Sequence, residues 1–210
     1  MFLRGCGLGR RRQLALARLS FLRANVSIPA DSEKPKKPLH RIEKIISGGQ
    51  TGADRAALDF ARAHGIPHGG WCPRGRKAAD GPLAECYQLA ETPGAEYAQR
   101  TEWNVRDADA TVIFSVAPTL AGGSQQTAEF ALRWGKPCLH LSRERDGAAA
   151  AEMLSGFLAT HRVKTLNVAG PRQSEEPDVA GFCRQTLERV LLGTASTGRV
   201  PASGPGASGS

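Results

Sequence analysis

The sequence has no run of about 18 uncharged apolar residues, the length a helix needs to cross a bilayer, and this excludes a membrane-spanning helix. It also has no Cys-x-x-Cys pair. Its five cysteines (Cys6, Cys72, Cys86, Cys138, Cys183) are scattered, which argues against a zinc cluster or a disulfide framework. The five histidines (His40, His64, His68, His140, His161) show no metal-ligand spacing, so no metal site is expected. Aromatics are only 6%, but hydrophobic residues reach 40%, too many for a wholly disordered chain. A length of 210 residues suits one domain with tails.

The interior also lacks net charge. The formal charge of +8 invites a nucleic-acid reading, but the excess lies at the ends. Residues 1–40 carry nine Lys and Arg against Asp31 and Glu33, and residues 194–210 carry only Arg199. Residues 41–193 hold 18 basic and 18 acidic side chains. No nucleic-acid binding is therefore expected of the core. Residues 1–40 read as a tail and linker, with Pro29, Pro35 and Pro38 near its end. Its start holds Arg4, Arg10, Arg11, Arg12, Arg18 and Arg23 before any acid, the composition of an organelle transit peptide or of an overlong start. The expected location is the cytoplasm, or a mitochondrion where residues 1–30 act as a transit peptide. Residues 194–210, rich in Gly, Ala, Ser and Pro, read as a disordered tail.

Within 41–193, strand-like and helix-like segments alternate. Ile42–Ser47, Ile66–Cys72, Cys86–Ala90, Thr111–Val116, Pro137–Leu141 and Thr165–Ala169 read as strands. Ala53–His64, Tyr97–Asp107, Gln125–Trp134, Ala148–His161 and Pro177–Leu192 read as helices. The pattern predicts a single doubly wound α/β domain with a mostly parallel sheet and helices on both faces. Ligands of such sheets bind at the carboxyl ends of the strands. The Gly-rich and polar segments fall there, after Ser47, Cys72, Val116 and Ala169.

Five segments are candidates for chemistry. Gly48, Gly49, Gln50, Thr51 and Gly52 form a strand-to-helix turn whose backbone N–H groups suit an anion, with Thr51 and Asp54 at capping-box spacing. No Gly-Lys-Ser/Thr follows, so the turn is not a P-loop. Ser47 stands where a dinucleotide fingerprint has its first glycine, and the ribose-binding acid is missing. Arg74 and Arg76 flank Gly75 at a strand end and could clamp an anion or form a solvated turn. Arg100, Asn104 and Asp107 share one helix face, and Glu102 with Arg106 shares another as an ordinary surface pair or a ligand contact. Gly122, Gly123 and Ser124, followed by Thr127 and Glu129, open a second helix start that favours anions. Arg172 follows the last strand in Gly170-Pro171-Arg172.

Taken in order, Ser47–Asp54, Gly69–Arg76 with Asp80-Gly81, Tyr97 with Arg100–Glu102, Asn104–Asp107 and Gly122–Ser124 resemble the molybdenum-cofactor carrier family. That family is grouped with the Rossmann-like LOG phosphoribohydrolases and nucleotide-sensing SLOG domains. The resemblance covers about Lys44 to Leu192. It implies a Rossmann-like fold, homo-oligomerisation, molybdenum cofactor or another phosphorylated pterin or nucleotide as a carried small ligand, and molybdoenzymes as recipients. The expected binding residues are those of the five segments. LOG enzymes carry an Arg nine residues before an Asp, then a Gly-Gly-x-Gly-Thr-x-x-Glu turn. Arg100 and Asp109 keep that spacing. Glu129 falls one residue out of register, about 100° of helix rotation, and the third glycine is missing. Two functions follow as expectations. One is a non-catalytic carrier or ligand sensor. The alternative is a LOG-like N-glycosidic hydrolase, with Arg100, Glu102 and Glu129 as its only catalytic candidates.

Overall fold

The computed structural model describes residues 42–193. The expectations for residues 1–40 and 194–210 lie outside the described residues. Five strands form one parallel sheet: β1 (Lys44–Ile46), β2 (His68–Gly69), β7 (Ala110–Ser115), β8 (Cys138–Ser142) and β9 (Thr165–Ala169), in the order β2-β1-β9-β7-β8. Two small sheets flank it. In one, β3 (Trp71–Cys72) pairs with β6 (Ala90–Glu91). In the other, β4 (Lys77–Ala78) and β5 (Gly81–Pro82) form a hairpin.

The long helices are α1 (Ala53–Ala63), α2 (Tyr97–Asp107), α3 (Gly122–Arg133), α5 (Ala150–His161) and α6 (Val179–Leu191). A short α4 (Arg143–Asp146) follows β8. Ala53, Ala57 and Ala61 put small side chains on the buried face of α1, so it lies close to the sheet and to α6. Ile45, Val112, Phe114, Leu141, Leu154, Leu166, Val168 and Leu187 form the main core with α1, α5 and α6. Val105, Phe130 and Ala131 hold α2 on α3 in a second cluster. Every residue of β7 is buried, as a strand covered on both faces requires. The expected α/β class and parallel sheet are present.

Local differences have physical causes. The expected strand Ile66–Cys72 splits into β2 and β3. Gly70 turns the chain at φ +122, and the Asn104 side chain takes the Trp71 backbone out of the main sheet. The expected strand Cys86–Ala90 starts only at Ala90, because the Arg76 guanidinium holds the carbonyls of Leu83, Ala84, Tyr87 and Leu89 in turns. The expected loop Arg74–Pro82 contains the β4–β5 hairpin. Helix α3 starts at Gly122, three residues before the expected Gln125, since Gly and Ser are tolerated in a first turn.

The strand order carries one topological fact. If β9 is counted first and the others follow in chain order, the sheet reads 3-2-1-4-5, the order of the doubly wound dinucleotide-binding sheet. The last strand of the chain therefore occupies the central place of a first strand. The point where the strand order reverses lies between β9 and β7.

Candidate functional site

A cavity of about 100 Å³ lies beside the carboxyl ends of β1 and β9. Four segments line it. Gln50 and Asp54 come from the β1–α1 turn, Tyr97 and Arg100 from α2, Gly123, Ser124 and Thr127 from α3, and Gly170, Pro171, Arg172 and Glu175 from the segment after β9. The space is small. That suits a tetrahedral oxyanion or a terminal phosphate, whereas sites for whole drug-sized ligands are about 300 Å³ or more.

Two glycines make the cradle possible. A Cβ on Gly48 would stand 2.0 Å from Arg100 Nη1 and 2.4 Å from its Cζ, so the missing side chain is where the guanidinium lies. Gly52 has φ +91, and a Cβ there would meet the Pro171 carbonyl oxygen at 2.3 Å. The turns after β1 and β9 touch at that position.

Asp54 is 2% exposed, and its Oδ2 lies 3.2 Å from Arg100 Nη1 and accepts the Gln50 N–H at 3.4 Å. Burial pushes its carboxyl above the usual carboxylate range, and the Arg100 charge opposes the rise. The expected capping box is not formed. Gly52 is the N-cap, and Asp54 turns toward Arg100. Gln50 Oε1 accepts the N–H groups of Thr51 (2.9 Å) and Ala79 (2.8 Å). Helix α3 opens without a side-chain cap. Thr127 Oγ1 donates to the Gly123 carbonyl at 2.8 Å and so is committed to its own helix.

Three buried side-chain polar atoms among the described residues have no hydrogen-bond partner: Gln50 Nε2, Arg100 Nε and Ser124 Oγ. All three residues line this cavity. Buried polar groups are normally paired, and an orphan costs about 1–3 kcal/mol. At the mouth, Arg172 makes a loose pair with Glu175 at 3.6 Å, and both Arg172 and Lys77 lie 5.4 Å from the Tyr97 ring centre. A groove of about 660 Å³ runs along α1 and α6 past Arg55, Asp59, Arg184 and Glu188, but none of the three orphaned atoms belongs to it.

The structure brings together Gln50, Asp54, Arg100, Gly123, Ser124, Thr127 and Arg172, with Gly48 and Gly52 beneath them. Gly49 turns the chain at φ +71, and Gly122 starts α3 at φ +50. Thr51 faces the α1–α6 groove. The other candidates lie outside the cavity. Asn104 is buried and bridges the Trp71 N–H (2.8 Å) and carbonyl (3.0 Å). Arg76 holds the 83–89 turns, and Arg74 is exposed. Arg106 pairs with Asp107 at 2.6 Å and stacks on Trp103. Glu102 accepts from Trp134 Nε1, and Glu129 is exposed and accepts from Gln125. Asp109 receives the N–H groups of Lys164 and Thr165, which ties β9 in place. Glu175 and Gln126 line the cavity without having been singled out in the sequence. The spacing of Glu175, three residues after Arg172, was its one signal.

Sheet order and cavity together define a Rossmann-like α/β domain with a polar cleft at the switch point. The chain belongs to the circularly permutated YpsA SLOG family, whose description matches residues 45–191. It is also similar to the crystal structure of a protein from Syntrophus aciditrophicus SB named "Putative molybdenum carrier protein". The two share 48% identity and a TM-score of 0.71 over 73% of this chain and 96% of the other. No curated protein matches the chain. No described helix is long and apolar enough to cross a membrane, and no described group of three His, Cys, Asp or Glu is placed to hold a metal ion.

Proposed function

We propose that the protein is a non-catalytic carrier that holds a small phosphorylated ligand by its oxyanion end in the switch-point cavity. The observation that carries this is that Gln50, Arg100 and Ser124, each holding a buried and unpartnered polar atom (Nε2, Nε and Oγ), all line one small space. Two of these atoms can only donate, and the third can donate, so the complementary guest is an acceptor. The uncapped start of α3 adds partial positive charge on the same side.

A cavity of about 100 Å³ supports a reading in which it receives only the oxyanion. A pterin or nucleotide ring would lie outside, toward Tyr97 and Arg172. Molybdenum cofactor, a phosphorylated pterin, fits this division, and the 48%-identical relative is named as a molybdenum carrier. Lacking a built set of metal ligands among the described residues, the chain would hold such cargo through its phosphate. The hydrolase alternative loses Glu102 and Glu129, which lie outside the cavity. The carboxylates that do line it, Asp54 and Glu175, are engaged with arginines.

Titration calorimetry with pterin phosphates, nucleoside monophosphates and molybdenum cofactor, joined to mass spectrometry and metal analysis of the purified protein, tests the proposal. Binding that is lost in Ser124→Ala and Arg100→Met supports it. No binding of any of these ligands overturns it. Release of free base from a nucleoside monophosphate would instead establish the hydrolase.

A further inference from the structure

The charged side chains around the cavity cancel in pairs. Arg100 faces Asp54, and Arg172 faces Glu175. A doubly charged oxyanion entering this space meets donors from Gln50, Arg100 and Ser124, but it also meets a buried carboxylate in a cavity of about 100 Å³. Two negative groups so close and so poorly solvated repel strongly. Arg100 cannot relieve this alone, because its Nη1 already serves Asp54. Glu175 is on the rim and can swing into solvent, leaving Arg172 to the ligand. Asp54 is 2% exposed and cannot leave.

We propose that the site binds a doubly charged tetrahedral oxyanion together with one proton from solution, which Asp54 takes up. This rests on the oxyanion reading of the cavity. The protonated carboxyl becomes a fourth donor toward the guest. Arg100 and the Gln50 N–H both reach Oδ2, and the proton takes a carboxylate lone pair that the donors leave open. The site then changes from an arrangement of cancelling pairs into one with an uncompensated Arg100 beside the guest.

The groups facing Asp54 make the assignment specific. They are Arg100 from α2 and the Cys183 thiol from α6, while Tyr97, Arg172 and Glu175 are the other titratable or charged residues that line the same cavity. The Gly170 N–H also hydrogen-bonds the carboxylate. Burial pushes Cys183 far up, so it stays a thiol. Histidine is not among the lining residues. Burial already raises the Asp54 carboxyl in the empty site, and an anion beside it raises it further.

The test uses the full chain and sulfate, which stays doubly charged and unprotonated from pH 5.5 to 8.5. Calorimetric titrations at constant ionic strength give the affinity at each pH. Repeating them in buffers of different ionisation enthalpy counts protons. Expected is an affinity that tightens by up to about tenfold for each pH unit lowered, with close to one proton taken up per sulfate where the slope is steepest. Asp54→Asn supplies a donor of the same shape with no charge. It should bind sulfate at pH 8.5 about as tightly as the unaltered protein does at pH 5.5, with a flat profile and no uptake. A flat profile without proton uptake in the unaltered protein overturns the inference and leaves the oxyanion site standing. So does an Asp54→Asn protein that folds, by circular dichroism, and keeps the slope. If that variant does not fold, the proton count on the unaltered chain decides alone. Failure of sulfate and phosphate to bind at any pH overturns the oxyanion reading itself.

Discussion

Arg100 is the residue on which the site turns, and its place depends on what Gly48 lacks. The sequence presents Gly48 as one of several glycines that free backbone N–H groups for an anion. In the structure its role is to leave room for a guanidinium, with 2.0 Å between Nη1 and the position a Cβ would take. No local pattern reveals this, because Arg100 is remote in sequence and meets Gly48 only in the folded chain. Gly48→Ala should leave the fold intact, since a guanidinium can yield where a backbone cannot, at a cost of about 1–3 kcal/mol. Ligand affinity should fall at least about tenfold, as the Arg100 guanidinium is displaced from its donor position while still paired with Asp54. Calorimetry and thermal melts of the same sample separate the two effects. Gly52→Ala should do the reverse, because its obstacle is the Pro171 carbonyl at 2.3 Å and its φ is +91. There stability is lost first.

Asp54 depends on Arg100 for its charge partner. Arg100→Met strands a buried carboxylate, and breaking a buried pair in that way costs about 3–5 kcal/mol. The cost should depend on pH with a definite sign. The folded-state carboxyl already lies above its usual value, and without Arg100 it rises further. Between the unfolded and folded values the native state binds more protons than the unfolded chain, so stability rises as pH falls through that window. The melting temperature of Arg100→Met should therefore approach that of the unaltered protein at pH 5 and fall well below it at pH 8. A deficit that is constant across pH would mean that the stranded carboxylate is not its cause.

At the scale of elements, the polar residues of α2 divide by helix face. Arg100 and Thr101 reach the cavity, while Asn104 reaches the Trp71 backbone one turn along. The helical face linking Arg100 to Asn104 was legible from spacing of four. That the second residue anchors β3 was not, since an amide that bonds a ligand and one that bonds a backbone have the same sequence signature. Arg76 makes the same point in a loop. Its guanidinium donates to the carbonyls of Leu83, Ala84, Tyr87 and Leu89, and those bonds hold the 83–89 turns over the Leu83 and Leu89 side chains that pack on Gly49. Asn104→Ala should cost on the order of 3 kcal/mol, because it leaves both Trp71 backbone groups unpaired in a part-buried place. Arg74→Ala, which changes an exposed side chain, should alter neither melting temperature nor ligand affinity. Equal losses of affinity in Arg74→Ala and Arg100→Met would move the binding site toward the 74–76 turn.

At the scale of the whole molecule, the alternation of strands and helices was readable, and so was the placing of polar turns at strand ends. The order of the strands was not. Neighbouring elements in the sequence leave open that the last strand sits between the first and the third, since that pairing is set by long-range packing. Lys44 pairs with Thr165 across the length of the domain. Contacts this distant are slow to form, because the loop closure must come before the reward. Counting β9 first turns β9, α6 and β1 into a regular unit of two adjacent parallel strands joined by a helix. Ile42 and Leu187 belong to the same core cluster, with Leu191 packed against it, so the end of α6 and the start of β1 are both anchored on the main core. A rearranged chain that opens between the exposed His161 and Arg162 and joins residue 193 to residue 42 by a short flexible linker keeps every pairing of the sheet. It also makes the β9–β1 pairing local. Its far-ultraviolet circular dichroism and its oxyanion affinity should match those of the parent, and its refolding in stopped-flow mixing should be faster. A rearranged chain that folds but does not bind would show that the cavity depends on strain held by the native order of connections. One that fails to fold would show that α6 reaches β1 by a path the sheet order does not reveal.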